Sequence, residues 1–436
     1  MDRRRLIAGG ALGLVALGLC LAQINAHGLW FDEAYTARIA SLAPQRVLRG
    51  ALVDIHPPGW PLLSALSLRL PLPVEVALRL PSALAFAALV GSLGARGPLL
   101  GLAALLSAPL LDQATQGRPY MLLAAGLALC SVSLSRGRWG LGGLLAGAVA
   151  SLHALGGALV APVVLAHVIL MRPGRAALLR GIGGALLVTV AWLPSFLAST
   201  LQYLDHPWYH PADPSAWWVL TDGGPGLVGL LIWLATRRRA AWGSFAPGLA
   251  VLAALIALEA LGLGVEIRKT GIVVLPLLLA GDSAGSLGPD RRGVAGQIAL
   301  VLGLALGSVQ IDARPDLRQA ADAVAALGAP VPVLSVFASE TAMVMRTPAP
   351  LPSRIEPQAA AARIGEVWRA QGVACLATIS LPGTFPAASD LPEGLDTVAV
   401  AEVTGLDVRL LGGGSCGALP RAGAPWPAPW RAASGG

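Results

Sequence analysis

Charge is scarce in this chain: only 13% of its 436 residues are Asp, Glu, Lys or Arg, against roughly 25% in an ordinary soluble domain. That shortage excludes a conventional water-facing globular surface for most of the sequence. Lysine is almost missing, with Lys269 the sole example, so the net charge of +7 is carried by arginine. A basic balance can signal nucleic acid, but these arginines sit between apolar runs. Retention of positive loops in the cytoplasm explains them better, and no nucleic-acid partner is expected. Cysteine is limited to four residues. Cys20 and Cys130 lie in apolar runs as packing residues, while Cys375 and Cys416 can pair if the tail lies in an oxidising compartment. No internal repeat is visible. No small-x-small cleavage site follows the first apolar run, which predicts an uncleaved first helix rather than a secretory signal.

What the chain has instead is apolar length: 55% of it is hydrophobic, gathered into runs such as Leu6 to Leu21, Gly181 to Leu197 and Val294 to Val309. Such runs match a hydrocarbon core of about 30 Å. Spans are predicted at 6–25, 57–71, 74–94, 98–112, 118–134, 139–152, 154–171, 181–200, 225–236, 245–264, 270–281 and 294–311. Arg136/Arg138, Arg172/Arg175/Arg180, Arg237/Arg238/Arg239 and Arg291/Arg292 assign their connectors to the cytoplasm. Connectors 26–56, 113–117, 201–224 and 265–269, and everything after about 312, then face outward. Twelve crossings would return the C-terminus to the cytoplasm. One short segment between 57 and 112 must therefore fail to cross, or a span is missing, and 11 to 13 crossings are expected.

The resulting fold class is a polytopic α-helical membrane protein with a small extracytoplasmic α/β domain. Residues 1–311 form the membrane domain, 312–411 the soluble domain, and 412–436 a Gly-, Pro- and Ala-rich disordered end. Within the tail, Asp316 to Leu327 reads as an amphipathic helix. Val331 to Phe337, Val373 to Ile379 and Thr397 to Val403 read as strands.

Chemistry concentrates in the outward connectors. The first holds Trp30-Phe31-Asp32-Glu33-Ala34, two adjacent carboxylates among aromatics. Asp32 as N-cap with Glu33 in the first turn of a surface helix over 33–43 explains them structurally, and the same position holds a carboxylate rigidly at an interface. Asp54-Ile55-His56-Pro57-Pro58 closes the same connector; the prolines suit a helix entry but do not explain the Asp and His. In Asp112 to Tyr120, Arg118 opens a span from the outward side against the charge rule. Snorkelling to lipid headgroups and phosphate binding are both readings of it. Asp205, His206 and His210 are weak candidates for a divalent metal, and Arg268 and Lys269 can grip an anionic headgroup.

These stretches, in this order, resemble the GT-C glycosyltransferases of the protein O-mannosyltransferase and aminoarabinose-transferase superfamily, in its bacterial branch. Trp30 to Ala34 looks like the family's Asp-Glu loop, and His56-Pro57-Pro58 like its His-Pro-Pro motif. Leu78-Arg79-Leu80-Pro81-Ser82 looks like a recurrent Arg-Leu-Pro-Ser segment, and Gln116 to Tyr120 like a Glu-Ala-Arg-Pro-Tyr stretch. His153 falls where members have a His opening a later span. Arg268 falls at their Arg-Tyr pair, and Asp316-Leu317-Arg318 resembles the Asp-Trp-Arg that opens the tail. Gln116, Lys269 and Leu317 depart from the usual Glu, Tyr and Trp.

The resemblance implies transfer of a sugar, with inversion, from a polyprenyl-phosphate donor to an acceptor hydroxyl on a protein, lipid or polysaccharide. It makes Asp32 the base, with Glu33 orienting it. Asp54, His56, Arg118, Tyr120, His153, Arg268 and Lys269 become substrate-binding residues. It implies a bacterial inner membrane location, with the site extracytoplasmic. The rival reading, a transporter or flippase of a lipid-linked or amphipathic substrate, calls for charges at mid-span; Glu259, the clearest intramembrane acid, lies toward a span end.

Overall fold

Small residues decide how the apolar helices pack. The computed structural model describes residues 3–50, 57–194, 197, 224–236, 242–260, 270–284, 291–306, 317–328, 331–335, 364–366, 368–369, 374–380, 391–403, 406–412, 416 and 427–432. They form two units, one of Met1–Asn25 with Ala40–Gln310, the other of Ala26–Ile39 with Ile311–Gly436. Helix α1 (Arg3–Gln23) opens the first unit, and α2 (Phe31–Ala40) falls almost wholly in the second. The first unit continues with α3 (Pro44–Gly50), α4 (Gly59–Ser67), α5 (Val74–Gly94), α6 (Pro98–Leu105), α7 (Ala108–Ala114) and α8 (Tyr120–Ser135). It goes on through α9 (Trp139–Leu152), α10 (Ala154–Met171) and α11 (Arg175–Thr189). It ends with α12 (Gly224–Ala235), α13 (Trp242–Ala260), α14 (Thr270–Ala284) and α15 (Arg291–Leu306).

By length and composition, α1, α5 and α10 are long and apolar enough to cross a membrane, and shorter apolar helices accompany them. Outward-facing leucines and isoleucines such as Leu165, Ile169 and Leu187 are exposed, as a lipid-facing surface requires. Helices α1 and α5 meet backbone to backbone: a Cβ on Gly9 would lie 2.5 Å from the Gly91 carbonyl oxygen and the Ala95 amide nitrogen. Between α9 and α11, a Cβ on Gly143 would strike the Gly181 carbonyl, and one on Gly184 the Gly140 carbonyl. Close approach through small residues replaces the missing hydrophobic drive between helices in lipid.

These contacts give each helix a direction. Gly9, near the start of α1, meets Ala95, just past the end of α5, so the two run antiparallel. Arg96 follows, and it feels the charge of Arg136 in the α8–α9 turn, which places Arg3–Arg5, Arg96 and Arg136 at one end of the bundle. That turn closes on Gly137 at φ 70°, a conformation glycine adopts without steric cost. At the other end, Arg79 of α5 bonds the Ile24 carbonyl beyond α1, and Ser82 bonds Arg118.

Helix α4 does not traverse. It has nine residues, about 14 Å of helix, and both its ends lie at the Arg79 end. A Cβ on Gly59 would meet the Ser151 carbonyl at the end of α9, and Ser67 bonds Ala77 in the first turn of α5. Helices α6 and α7 share one traverse, broken at Leu106-Ser107. Among the described helices this leaves eleven traverses, from α1 and α5 onward to α15. The segment over 57–71 is therefore one that turns back.

The second unit carries the small α/β fold. Strands β1 (Val333–Ser335), β2 (Cys375–Ser380), β3 (Asp396–Val403), β4 (Leu406–Gly412) and β5 (Trp430–Ala432) form a sheet in the order β1-β2-β4-β3-β5. β1 and β2 are parallel, and the other pairings are antiparallel. Helix α16 (Leu317–Ala326) buries Leu317, Ala320, Ala321, Ala323 and Val324, and Trp430 donates its indole N–H to the Ala323 carbonyl. Leu334, Ile364, Leu376, Leu395 and Leu411 make the core. A Cys375–Cys416 disulfide spans a Cα–Cα distance of 5.1 Å. Residues 412–436, expected to be disordered, supply Cys416 and β5. Pairing with β3 organises β5, a long-range contact that the Gly- and Pro-rich composition hides.

Candidate active site

In the first unit the site begins with one proline. Pro81 sits inside α5 and removes the N–H that would bond the Ala77 carbonyl. The hydroxyl of Ser67 takes over as donor to that carbonyl. The turn of α5 around Pro81 makes two further bonds. Arg79, buried, donates from Nη1 to the Ile24 carbonyl at 2.8 Å. Ser82, fully buried, donates to the Arg118 carbonyl at 2.9 Å. The Arg-Leu-Pro-Ser segment is thus a brace joining the exit of α1 to the entry of α8.

Arg118 precedes Pro119, the N-cap of α8, a position where proline disfavours helical backbone at Arg118. Its guanidinium lies 5.5 Å from the centre of the Tyr120 ring and donates to the Tyr120 hydroxyl at 3.3 Å. Tyr120 in turn packs against the His153 ring, with centroids 5.4 Å apart. All three side chains are buried. His153 caps α10 in extended conformation, its Nδ1 accepting from the Leu155 N–H at 3.0 Å. That bond leaves Nε2 to carry the proton of the neutral ring. A cation, a phenol and an imidazole N–H form a donor-rich cluster suited to an oxyanion or sugar hydroxyls.

The preceding turn is fixed by Asp112. Its carboxylate accepts from the Gln116 amide at 2.8 Å and the Gln113 amide at 3.0 Å, and its carbonyl accepts from the Thr115 hydroxyl at 3.0 Å. Gln116 is buried, so its amide satisfies Asp112 where a carboxylate would oppose it. This gives the Gln116 departure a physical reason.

In the second unit, α2 begins at Phe31, so Trp30 rather than Asp32 holds the N-cap position. The Trp30 N–H donates to Glu33 Oε2 at 3.4 Å, half of a capping box, and Glu33 is fully buried. Asp32 is half-buried in the first turn, where the helix dipole favours its charge, and Thr36 bonds its carbonyl at 2.9 Å. The Leu29 carbonyl accepts the Leu317 N–H at 3.3 Å, tying the Asp-Glu loop to the first turn of α16. Arg38 lies 5.4 Å over the Tyr35 ring.

Of the residues expected from sequence, Arg118, Tyr120 and His153 are brought together, and Asp32 and Glu33 share the first turn of α2. Asp54, His56, Asp205, His206, His210, Arg268 and Lys269 lie outside the described residues. Among the described residues, no three His, Cys, Asp or Glu side chains gather as a metal site. Sequence reading overlooked the bonding of Ser67, Ser82 and Asp112. The four-residue spacing of Asp112 and Gln116 and the carbonyl freed by Pro81 are signals that point to them.

The class this architecture defines is a polytopic helical membrane protein with a small α/β domain. The apo crystal structure of ArnT from Cupriavidus metallidurans has this fold: it matches 92% of this chain and 97% of its own, with a TM-score of 0.56 at 15% identity. The structure of ArnT bound to undecaprenyl phosphate gives a TM-score of 0.44 at 15% identity, over 92% of this chain and 97% of that one. The arabinofuranosyltransferase AftD from Mycobacteria gives 0.46 at 20% identity, over 96% of this chain and 42% of AftD. No protein-family profile and no curated protein matches the chain.

Proposed function

We propose that this chain is an integral-membrane glycosyltransferase that moves a sugar from a polyprenyl-phosphate carrier to an acceptor hydroxyl on the extracytoplasmic face, with inversion. The observation that carries the reading is the buried Arg118–Tyr120–His153 cluster, set at one end of a fold shared with ArnT. ArnT itself binds undecaprenyl phosphate, which names the carrier to test first. The Cys375–Cys416 disulfide supports an oxidising, extracytoplasmic compartment for the tail.

In this reading the acceptor oxygen attacks the anomeric carbon as Asp32 removes its proton. The bond from that carbon to the phosphate oxygen breaks, and its electrons leave on the polyprenyl phosphate. The leaving group is already an anion, so it needs positive charge rather than a general acid. Arg118 supplies that charge, with Arg268 and Lys269 as further donors from the resemblance. Tyr120 and His153 hold sugar or phosphate oxygens, and Glu33 keeps Asp32 in its turn. Asp54 and His56 position the acceptor or the sugar.

The test is sugar transfer by the purified protein from polyprenyl-phosphate sugars, read by mass spectrometry of the products. Asp32→Asn should fold normally and lose at least about 100-fold in rate. A folded Asp32→Asn protein that transfers sugar at the wild-type rate removes Asp32 as the base. A folded wild-type protein that transfers none of the offered sugars, and binds no polyprenyl phosphate, overturns the reading.

A further inference from the structure

Three features of the first unit have no role in the chemistry above: His167, the Arg96–Arg136 pair and the α5 brace. His167 bonds the Val163 carbonyl at 2.9 Å within its own helix, which accounts for it as packing. Arg96 and Arg136 repel one another at the arginine-rich end, but no second observation there points to a ligand. The brace carries more. Ser82 lies one helical turn from Arg79 on α5, and its hydroxyl bonds the backbone of the residue whose side chain is the cation of the cluster.

We infer that Ser82 is a positioning residue: through the Arg118 carbonyl it sets where the Arg118 guanidinium meets the phosphate of a lipid carrier. The inference rests on the glycosyltransferase reading and goes beyond it by assigning the placement of the phosphate donor to a residue that touches no substrate. Three observations converge on it. Arg118 lies just before Pro119, the N-cap of α8, and its carbonyl accepts the Ser82 hydroxyl. Ser82 is fully buried and its bond is 2.9 Å, so water does not compete for the carbonyl. The same helical turn is held by Arg79 on Ile24 and by Ser67 on the Ala77 carbonyl, so Ser82 hangs from a fixed frame. From Arg118 the constraint passes to Tyr120 through the 3.3 Å bond, so a shift of the backbone displaces cation and phenol together.

The experiment compares wild type, Ser82→Ala, Ser82→Thr and Arg118→Ala as full chains in lipid nanodiscs. It measures affinity for undecaprenyl phosphate, the unfolding midpoint, and donor KM and kcat where transfer is observed. Ser82→Ala should weaken undecaprenyl phosphate binding about tenfold, the scale of one buried hydrogen bond, with its unfolding midpoint close to wild type. Donor KM should rise more than kcat falls, and Ser82→Thr, which keeps the hydroxyl, should restore binding. In the Arg118→Ala background, Ser82→Ala should have no further effect, because the group it positions is gone. Wild-type affinity in a folded Ser82→Ala protein, or an equal loss in both backgrounds, overturns the inference. Wild type that folds but binds no undecaprenyl phosphate overturns the reading beneath it, a distinct result.

Discussion

The two ends of the helical bundle use arginine in opposite ways. At one end Arg136 and Arg138 are exposed and Arg96 only half-buried, each able to reach water. Burial, then the charge of Arg136, pushes Arg96 down to about 10, still charged at neutral pH. At the other end Arg79 and Arg118 are buried and each donates to a defined acceptor, a carbonyl and a phenol. Exposure explains the first set: a guanidinium that reaches water needs no defined acceptor, and most individual members are replaceable. Geometry explains the second, because a buried guanidinium is tolerated only where its donors are placed. The contrast separates the arginines held by a fixed bond from those held by water.

The comparison breaks most visibly at Arg118. Arg118→Ala should reduce sugar transfer by about 100-fold or more, whereas Arg136→Gln should change it less than about twofold in the same assay. Equal losses would erase the distinction between the two ends. A smaller effect is expected from Gln116→Glu, which sets a carboxylate against Asp112 across a 2.8 Å contact. Transfer should fall about tenfold at pH 8 and recover in part near pH 5, since a proton shared by the two carboxyls restores the bond as pH falls. A flat pH profile for Gln116→Glu relative to wild type would remove the clamp from the argument. The smallest effect belongs to Arg96→Gln. Its lowered pKa means that folding opposes the charged form, a cost present below about pH 10 and relieved as pH rises through that value. Removing the charge should leave the unfolding midpoint within about 2 °C of wild type or slightly above it, measured by thermal scanning at neutral pH. A large drop would give Arg96 a structural role.

Much of this was legible in the chain itself. The tail helix was expected at Asp316 to Leu327 and occupies Leu317–Ala326. Three strands fell close to their expected places, because alternation and β-branched runs are local signals. Strand β4 went unread although Leu406, Val408 and Leu410 alternate with Asp407 and Arg409, because it runs into the glycine-rich stretch beyond Gly412. Which segment between 57 and 112 turns back was not deducible from the chain. Only the Gly59–Ser151 and Ser67–Ala77 contacts show that α4 starts and ends at one end. In the cluster, Arg118 stood out by its place at a span start and Tyr120 and His153 by the family resemblance, while the cap at Trp30 and the Ser82 bond depend on tertiary placement that no periodicity encodes.

The bond from Leu317 to Leu29 has a consequence in the order of synthesis. Residues 26–39 leave the ribosome well before the segment they fold with, which begins at residue 311. Through most of its own making, the chain carries Asp32 and Glu33 on a loop whose structural partner does not yet exist. A product that stops before residue 311 has every helix through α15 and no finished first loop. The loop that bears the two adjacent carboxylates thus waits for a segment made after the described helices of the bundle.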